Sequence, residues 1–189
     1  MSDHPILRHG THAHLRALTA DDAPVCARWF NDQALTGHMN KGVFPNTLAQ
    51  QVEHLEKMQR SRADVQLGIV MADGGRLIGT VGIHKIDTTH RHGDISIVIG
   101  DTSVQGKGLA SEAIGLMVAH GFEKLNLHKL TAGMWAGNAG SRRAFEKNGF
   151  VLEGTLRQSF WQGDRWVDEY RLGLLRDEWM AAQGERTNR

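Results

Sequence analysis

The hydrophobic residues of this chain follow two different spacings, which alternate from one stretch of sequence to the next. In some stretches apolar and polar residues alternate one by one, which is the period of a half-buried β-strand, and in others apolar residues recur every three or four positions, as in an amphipathic helix. The alternating stretches predict strands at residues 12–18, 66–72, 76–86, 94–99, 129–135, 151–161 and 166–174. The helical stretches predict helices at residues 19–31, from 47 onward, at 109–124 and at 139–148. Strands that alternate with helices favour an α/β or α+β domain built on a sheet.

Local signals mark where several of these elements begin and end. Thr19 precedes the first predicted helix, and Thr47 followed by Gln50 is typical of a capping box that opens the second. The Asp-Gly-Gly sequence at residues 73–75 predicts a hairpin turn. Gly149 is placed to end the last predicted helix.

The segment Gln-Gly-Lys-Gly-Leu-Ala at residues 105–110 lies between a predicted strand and a predicted helix. Gly106 and Gly108 allow backbone N–H groups to approach a ligand closely, and a helix N-terminus adds unpaired donors and the positive end of the helix dipole. Lys107 either adds charge to such a site or is simply solvated. The segment matches neither of the two common nucleotide-binding patterns, Gly-x-x-x-x-Gly-Lys-Ser/Thr and Gly-x-Gly-x-x-Gly. It predicts a phosphate or pyrophosphate site of another kind.

A second motif lies further along, and the two together resemble one family. The first motif reads as Gln/Arg-x-x-Gly-x-Gly/Ala, and it is matched by Gln105, Gly108 and Ala110. The second reads as Asn-x-x-Ala/Ser, then Tyr or Phe, then Glu-Lys-x-Gly-Phe, and it is matched by Asn138, Ser141, Phe145, Glu146, Lys147, Gly149 and Phe150. This order is similar to that of the GCN5-related N-acetyltransferase (GNAT) superfamily, especially its RimJ/RimL-like branch. The resemblance covers about residues 15–179.

The resemblance implies a fold and a way to bind acetyl-CoA. The expected GNAT fold is α/β (α+β), with a central mixed, mostly antiparallel seven-stranded sheet flanked by about four helices. The pyrophosphate of acetyl-CoA is expected on Gln105, Gly106, Lys107, Gly108, Leu109 and Ala110, with Asn138 and Ser141 as further contacts. The pantetheine arm is expected to add to a strand edge at Ile97, Val98 and Ile99 by β-type hydrogen bonds, where an N–H near Val98 polarises the thioester oxygen.

The same resemblance implies candidates for proton transfer. Many relatives carry a tyrosine where this chain has Phe145, and phenylalanine cannot donate a proton. The RimL-like branch instead implies Ser141 as the donor to the departing thiolate, and a serine that only caps the helix is the alternative. Asp94 stands where relatives often carry a glutamate, so it is the first candidate for the base that deprotonates the amine, with a solvated strand-end residue as the alternative. Other candidate bases are Glu153, Asp168 and Glu169, while Tyr170 suits a half-buried strand better than catalysis.

Composition limits the classes of partner. A net charge of +1 gives no large field for nucleic acid or a membrane surface, and no apolar stretch approaches the roughly 20 residues of a membrane span. The single cysteine, Cys26, excludes an internal disulfide, and with a polar N-terminus it leads us to expect a cytoplasmic protein. The histidines at 4, 9, 12 and 14 lack the acidic or cysteine partners of a metal site, and we expect no metal.

The sequence gives less information about the domain organisation and the acceptor amine than about the cofactor. We expect one domain over residues 1–189, with its core at about 12–180 and tails at 1–10 and 181–189. The sequence does not decide whether the protein forms a homodimer. The acceptor amine, which no motif identifies, belongs to a protein N-terminus, a polyamine, an amino sugar or an amino acid. Its groove is expected between residues 30–48 and 161–166. His84, His90 and His92 either line that groove or face water.

Two classes of function follow from these observations. The first is an N-acetyltransferase that moves an acetyl group from acetyl-CoA to a primary amine by direct attack in a ternary complex. No cysteine lies near either motif, which argues against an acetyl-enzyme intermediate. The alternative is a non-catalytic acetyl-CoA-binding module or sensor, because Phe145 replaces the usual tyrosine.

Overall fold

The computed structural model describes residues 4–37, 39 and 43–187, without the side chains of 185–187. Within these residues the chain forms eight strands and six α-helices. The strands are β1 (Ile6–His9), β2 (Ala13–Ala17), β3 (Val65–Met71), β4 (Leu77–Asp87), β5 (His92–Ile99), β6 (Lys129–Trp135), β7 (Val151–Gln162) and β8 (Arg165–Leu175). The helices are α1 (Ala23–Asn31), α2 (Gln33–Thr36), α3 (Leu48–Arg60), α4 (Leu109–Glu123), α5 (Ala139–Glu146) and α6 (Arg176–Thr187). Short 3-10 turns precede α1 (Ala20–Asp22) and α4 (Thr102–Val104).

One sheet contains all eight strands in the order β1-β2-β3-β4-β5-β6-β8-β7. Every neighbouring pair is antiparallel except β5 and β6, which run parallel. The predicted mixed, mostly antiparallel sheet is therefore confirmed. The counts of seven strands and about four helices are too low, because the sequence prediction lacks β1, α2 and α6.

The missing elements lie largely in segments that the sequence predicts to be tails. Strand β1 pairs with the edge of β2, although its residues are mostly exposed and show no alternation. Helix α6 is polar, and it follows β8 directly. Short or polar elements at the margin of a sheet are stabilised by contacts with residues distant in the sequence. A local hydrophobic pattern does not reveal such contacts.

The cap predicted at Thr47 and the turn predicted at Gly149 are present. Thr19 instead precedes the short 3-10 turn, and α1 begins at Ala23 with Asp22 as its N-cap. The Thr47 side chain accepts a hydrogen bond from the Gln50 N–H at 3.2 Å, and the Gln50 side chain accepts one from the Thr47 N–H at 2.9 Å, so the capping box at the start of α3 is complete. Gly149 has φ 89°, a left-handed conformation that glycine adopts without a Cβ clash, and the chain turns there from α5 into β7.

Helices cover both faces of the sheet. Helix α4 packs on one face, where Ile114, Met117 and Phe122 belong to the same buried cluster as Ile95 of β5 and Leu130 of β6. Helices α1 and α3 lie towards the other face, over a smaller cluster of Leu18, Ala23 and Leu55. The long helix that follows the glycine-rich segment is thus fixed by the largest part of the core, and its N-terminus is held in place with it.

A buried ion pair at the start of α1 gives a prediction about stability. Arg16 and Asp22 form a two-bond ion pair at 2.8 and 2.7 Å, and Asp22 also accepts the Thr19 N–H at 2.9 Å. We expect Asp22→Asn to destabilise the fold by about 3 kcal/mol, because it leaves the buried Arg16 guanidinium without its countercharge. Denaturant unfolding measures this difference. The control is Glu146→Gln, which breaks the exposed Arg142–Glu146 pair and should leave the free energy of unfolding nearly unchanged, because solvent screens an exposed pair.

The same pair gives the expected pH dependence. Burial by itself would raise the pKa of Asp22, but the hydrogen bonds from Arg16 and the Thr19 N–H outweigh it, and the pKa lies below its usual value. A lowered pKa in the folded state contributes stability above the unfolded value of about 4, and that contribution is lost as the pH falls below it. Unfolding free energies of Asp22→Asn should therefore depend less on pH below about 4 than those of the wild type. Equal acid dependence in both proteins would contradict this assignment.

Candidate functional site

The two sequence motifs meet at one edge of the sheet. Strands β5 and β6 are parallel neighbours, so their carboxyl ends lie at the same edge. The 105–110 segment follows β5 and leads into α4, and Asn138 follows β6 and opens α5. Two helix N-termini therefore begin beside each other at this edge, although the motifs lie far apart in the sequence.

The 105–110 segment has the geometry of an open anion-binding loop. Gly106 and Gly108 have φ 76° and 83°, and a Cβ placed on either would meet no atom within 4 Å. The Gln105 side chain donates a hydrogen bond to the Ile99 carbonyl at 3.3 Å, which ties the loop to the end of β5. Gly108 is the N-cap of α4 and offers no side chain to cap it, so the first N–H groups of the helix face the open space. Leu109 is different, because its side chain is buried in the core and only its backbone can face a ligand.

Strands β5 and β6 part from each other beside this loop. They pair only from His92 to Asp94 and from Lys129 to Thr131, although β5 continues to Ile99 and β6 to Trp135. Beyond that point β5 keeps its antiparallel pairing with β4, and no strand among the described residues pairs with its other edge. Alternate backbone N–H and C=O groups of Ile97, Val98 and Ile99 thus face the opening, where an extended, amide-rich arm can add as a further strand.

The start of α5 forms the opposite side of the opening. The Asn138 side chain accepts the Ser141 N–H at 3.0 Å and so caps the helix. The Ser141 hydroxyl has no hydrogen-bond partner among the described residues. Phe145 is buried and packs edge-on against Phe150, with ring centroids 5.0 Å apart. Position 145 therefore serves the core in this chain, and Ser141 is the hydroxyl that α5 presents near its N-terminus.

Asn148 is a supporting residue that sequence reasoning missed. Its side-chain N–H groups donate to the Ser111 carbonyl at 2.9 Å and to the Ala144 carbonyl at 2.8 Å, and so join α4 to α5. Gly115 leaves room for this contact, since a Cβ there would lie 2.8 Å from the Asn148 side-chain oxygen. The family pattern leaves position 148 unspecified, so no local signal points to it. The bridge ties the first turn of α4 to the C-terminal end of α5.

Asp94 lies on β5 at the point where the two strands part, and Arg171 of β8 holds its carboxylate. Arg171 donates to Asp94 Oδ2 at 3.0 Å through one nitrogen and to Glu169 Oε1 at 3.0 Å through another. Ser159 donates to the second oxygen of Glu169 at 2.9 Å. Burial alone would lower the pKa of Arg171, but its bonds to the two carboxylates raise it, so the guanidinium stays charged. Sequence reasoning missed Arg171, and charged residues at 169 and 171 on one strand face were the available signal.

The remaining base candidates are engaged elsewhere. Glu153 forms an ion pair with Lys129 at 2.7 Å, and Asp168 accepts the Gln158 N–H at 2.9 Å. Tyr170 is half-buried against the main core, and the Arg142 guanidinium lies 5.1 Å from the centre of its ring. Of the carboxylates predicted from the sequence, Asp94 and Glu169 are the two that the structure joins into one network, through Arg171.

The predicted acceptor groove is described in part. Residues 38 and 40–42 of its first side lie outside the described residues. On its second side Trp161 and Trp166 are more than half exposed and pack edge-on, with ring centroids 5.2 Å apart, as a cross-strand pair of β7 and β8. The Gln162 side chain donates to the Gly37 carbonyl at 3.5 Å and links this hairpin to the end of α2.

The described residues contain neither a cluster of metal-binding side chains nor a membrane-spanning helix. In the part of the chain that the structure describes, no three His, Cys, Asp or Glu side chains are grouped so that they could hold a metal ion. Across the same residues, no helix combines the length and the apolar character needed to cross a membrane.

Known proteins that are similar to this chain in sequence or structure are acetyltransferases. The family model for the acetyltransferase (GNAT) domain matches residues 12–151. The uncharacterized N-acetyltransferase p20 of Bacillus licheniformis is 27% identical over 167 residues, which are 87% of this chain and 93% of that protein. The spermidine N(1)-acetyltransferase of Vibrio cholerae is 33% identical over 104 residues, which are 55% of this chain and 60% of that protein. The crystal structure of the spermidine N-acetyltransferase from Vibrio cholerae in complex with CoA and spermine has a TM-score of 0.83 and 26% identity, and it covers 90% of this chain and 99% of that chain. This chain belongs to the GNAT acetyltransferase family, and its reaction is the transfer of an acetyl group to an amine.

Proposed function

We propose that this protein, as a single domain over residues 1–189, transfers the acetyl group of acetyl-CoA to a primary amine of a small cationic acceptor of the polyamine type. The transfer is a direct attack in a ternary complex. The opening between β5 and β6 carries this proposal, because the glycine-rich loop, the open strand edge, Ser141 and Asp94 all border it. The pairing of Ser141 with Phe145 supports a place in the RimJ/RimL-like branch.

The residues around the opening fit acetyl-CoA. The pyrophosphate accepts hydrogen bonds from the N–H groups of the loop and of the α4 N-terminus, which also favours negative charge. The contributing residues are Gln105, Gly106, Lys107, Gly108, Leu109 and Ala110. The pantetheine arm adds to Ile97, Val98 and Ile99, and an N–H of this stretch polarises the thioester oxygen. Asn138 contributes a side-chain amide beside the arm.

Ser141 is the proposed proton donor to the sulfur of CoA. Its hydroxyl has no competing partner among the described residues, and it sits in the first turn of α5, where the helix dipole stabilises a developing negative charge. Donation to the thiolate makes CoA a better leaving group. Phe145 cannot take this role, since its ring has no acidic proton and lies in the core.

Asp94 is the proposed carboxylate at the acceptor nitrogen. Arg171 holds its Oδ2, and Oδ1 has no partner among the described residues. The free oxygen accepts an amine hydrogen bond directly or through water, as the first step of deprotonation. With Glu169, two carboxylates face the single guanidinium of Arg171, so the network keeps an excess negative charge that attracts an ammonium group.

Direct attack agrees with the position of the one cysteine. Cys26 is fully buried in α1, on the other side of the sheet from α4, and it borders neither motif. The amine loses one proton before it attacks the thioester carbonyl and a second as the tetrahedral intermediate collapses. One proton reaches the CoA sulfur through Ser141, and the other leaves on the acceptor side.

A panel of acceptors tests this proposal. Acetyl-CoA is incubated with spermidine, a peptide with a free N-terminus, an amino sugar or an amino acid at equal concentration, and the released thiol is measured. We expect spermidine to show the highest kcat/KM, because a second ammonium group adds attraction to the acidic network. A preference for the peptide would replace the polyamine by a protein N-terminus as acceptor. Tight binding of CoA without thiol release from any amine would instead support a non-catalytic module.

A further inference from the structure

Asp64, His84 and Ser96 form a line of hydrogen-bonding side chains on the sheet. The Asp64 Oδ1 atom lies 3.3 Å from His84 Nδ1, and His84 Nε2 lies 3.0 Å from the Ser96 hydroxyl oxygen. A carboxylate on Nδ1 selects the tautomer in which Nδ1 carries the proton, so Nε2 is left to accept from Ser96. This is the acid–base order of carboxylate, imidazole and hydroxyl that other enzymes use to remove protons.

The carboxylate end of this line is fixed by its surroundings. Asp64 accepts hydrogen bonds from the Ser61 hydroxyl at 2.9 Å and from the Lys85 N–H at 3.3 Å. Burial alone would raise the pKa of Asp64, but these bonds and the one from His84 lower it, so Asp64 is present as a carboxylate. Lys85 has φ 51°, a conformation that a residue with a side chain rarely adopts, next to the register shift of β4. That strained backbone turns the Lys85 N–H towards Asp64.

The absence of a side chain at Gly82 leaves room for the His84 imidazole to lie along the strand. Ser96 is paired with Gly82 of β4, and His84 is two residues beyond Gly82 on the same face. A Cβ on Gly82 would come within 2.8 Å of His84 Nε2. The ring therefore lies over Gly82, and this position lets Nε2 reach across to Ser96.

The hydroxyl end of the line lies on the same face of β5 as Asp94. Ser96 is exposed, and it lies between Asp94 and Val98 on the same face of β5, since side chains two residues apart share a face. Two residues of a strand span roughly 7 Å. Ser96 is thus roughly 7 Å along the strand both from the Val98 backbone proposed to hold the thioester and from Asp94, the carboxylate proposed to bind the amine.

We propose that Asp64, His84 and Ser96 are the proton relay that deprotonates the acceptor amine. The inference rests on the proposed function and names the base that this function needs. The ammonium group passes one proton to the Ser96 oxygen while the Ser96 hydroxyl proton moves to His84 Nε2. Asp64 balances the charge of the resulting imidazolium. Asp94, which Arg171 holds in an ion pair, orients the amine, and His84 takes its proton.

The decisive variant is His84→Gln. Glutamine has a similar length and keeps a hydrogen-bonding end, but it cannot take a proton. We expect kcat with the best acceptor to fall about 100-fold, within the range of general base catalysis, with an unchanged Kd for CoA. His128→Gln is the matched control, because His128 is exposed just before β6, at the end of that strand away from the opening, and its backbone N–H and C=O bond to Arg91 and Arg176. It should retain wild-type turnover.

Chemical rescue separates a relay from a purely structural cluster. His84→Ala removes the imidazole and, with Gly82 beside it, leaves a space that is open to solvent. Added imidazole should restore part of the turnover of this variant, with saturation as its concentration rises, and should leave His128→Gln unaffected. Ser96→Ala should also lower kcat, by roughly 10-fold or more.

The outcomes that overturn the relay differ from those that overturn the proposed function. Wild-type kcat in His84→Gln would show that His84 does not take the proton. Lower kcat in His84→Gln and His84→Ala, without imidazole rescue and with a lower melting temperature, would show that the line only ties β3, β4 and β5 together. A wild-type protein without turnover on any amine would contradict the proposed acetyl transfer itself.

Discussion

Gly108→Val is expected to weaken CoA binding by at least about 100-fold, a loss of roughly 2.7 kcal/mol. The Cβ of residue 108 would enter the open space above the α4 N-terminus, where we propose that the pyrophosphate lies. The larger side chain would exclude the phosphates from the N–H groups and from the helix dipole. Isothermal titration of CoA into the purified variant measures the effect.

A matched glycine separates this effect from damage to the fold. Gly74, in the turn between β3 and β4, has φ 75° and equally open space around a Cβ. Valine at either position carries a similar backbone strain, of about 1–3 kcal/mol. We expect Gly74→Val to lose similar stability and to keep wild-type affinity for CoA. Equal affinity in Gly108→Val and Gly74→Val would remove the loop from the cofactor site.

Ser141→Ala is expected to lower turnover by about 10- to 1000-fold, at or below the range typical of general acid catalysis. The Kd for CoA should stay nearly unchanged, since the lost interaction forms mainly in the transition state. The cap of α5 survives the change, because Asn138 accepts the backbone N–H of residue 141 and not its side chain. Steady-state kinetics with the best acceptor, together with CoA titration, measures both quantities.

A second substitution sharpens the test of Ser141. In the Ser141→Ala background, Phe145→Tyr places a phenol at the position where relatives carry their donor, and it should restore part of the rate. Phe145 is buried against Phe150, so the rescue requires that the new hydroxyl reach the opening from the edge of the core, and a variant that recovers no rate shows that it does not. Normal turnover in Ser141→Ala would mean that CoA leaves as the thiolate or receives its proton from water.

Much of the fold could be predicted because its signals are local. The capping box at Thr47 and the positive-φ glycine at Gly149 act within a few residues of themselves, and the structure shows both as expected. Periodicity likewise predicts β2 to β8. Strand β1 and helix α6 lack that signal, because β1 is largely exposed and α6 is polar.

The sequence predicts only those residues of the site that belong to a motif. Residues 105–110 and Asn138 are read directly from the sequence, but the parting of β5 from β6 depends on how the whole sheet twists and pairs. Arg171 reaches Asp94 across 77 residues of sequence, and Asp64 reaches His84 across 20. Contacts of this kind are set by strand register, so sequence reasoning proposed Asp94 as a base without its guanidinium partner.

The central claim is that acetyl-CoA and an amine meet in the opening between β5 and β6 and exchange the acetyl group directly. The most direct measurement is the amount of acetylated amine, by mass spectrometry, against the amount of thiol released in the same reaction. We predict one acetylated amine for each thiol, no acetyl group on the protein, and loss of both products in Gly108→Val at a CoA concentration that saturates the wild type. Thiol release without acetylated amine, or an acetylated protein that forms before the amine is added, would contradict the account.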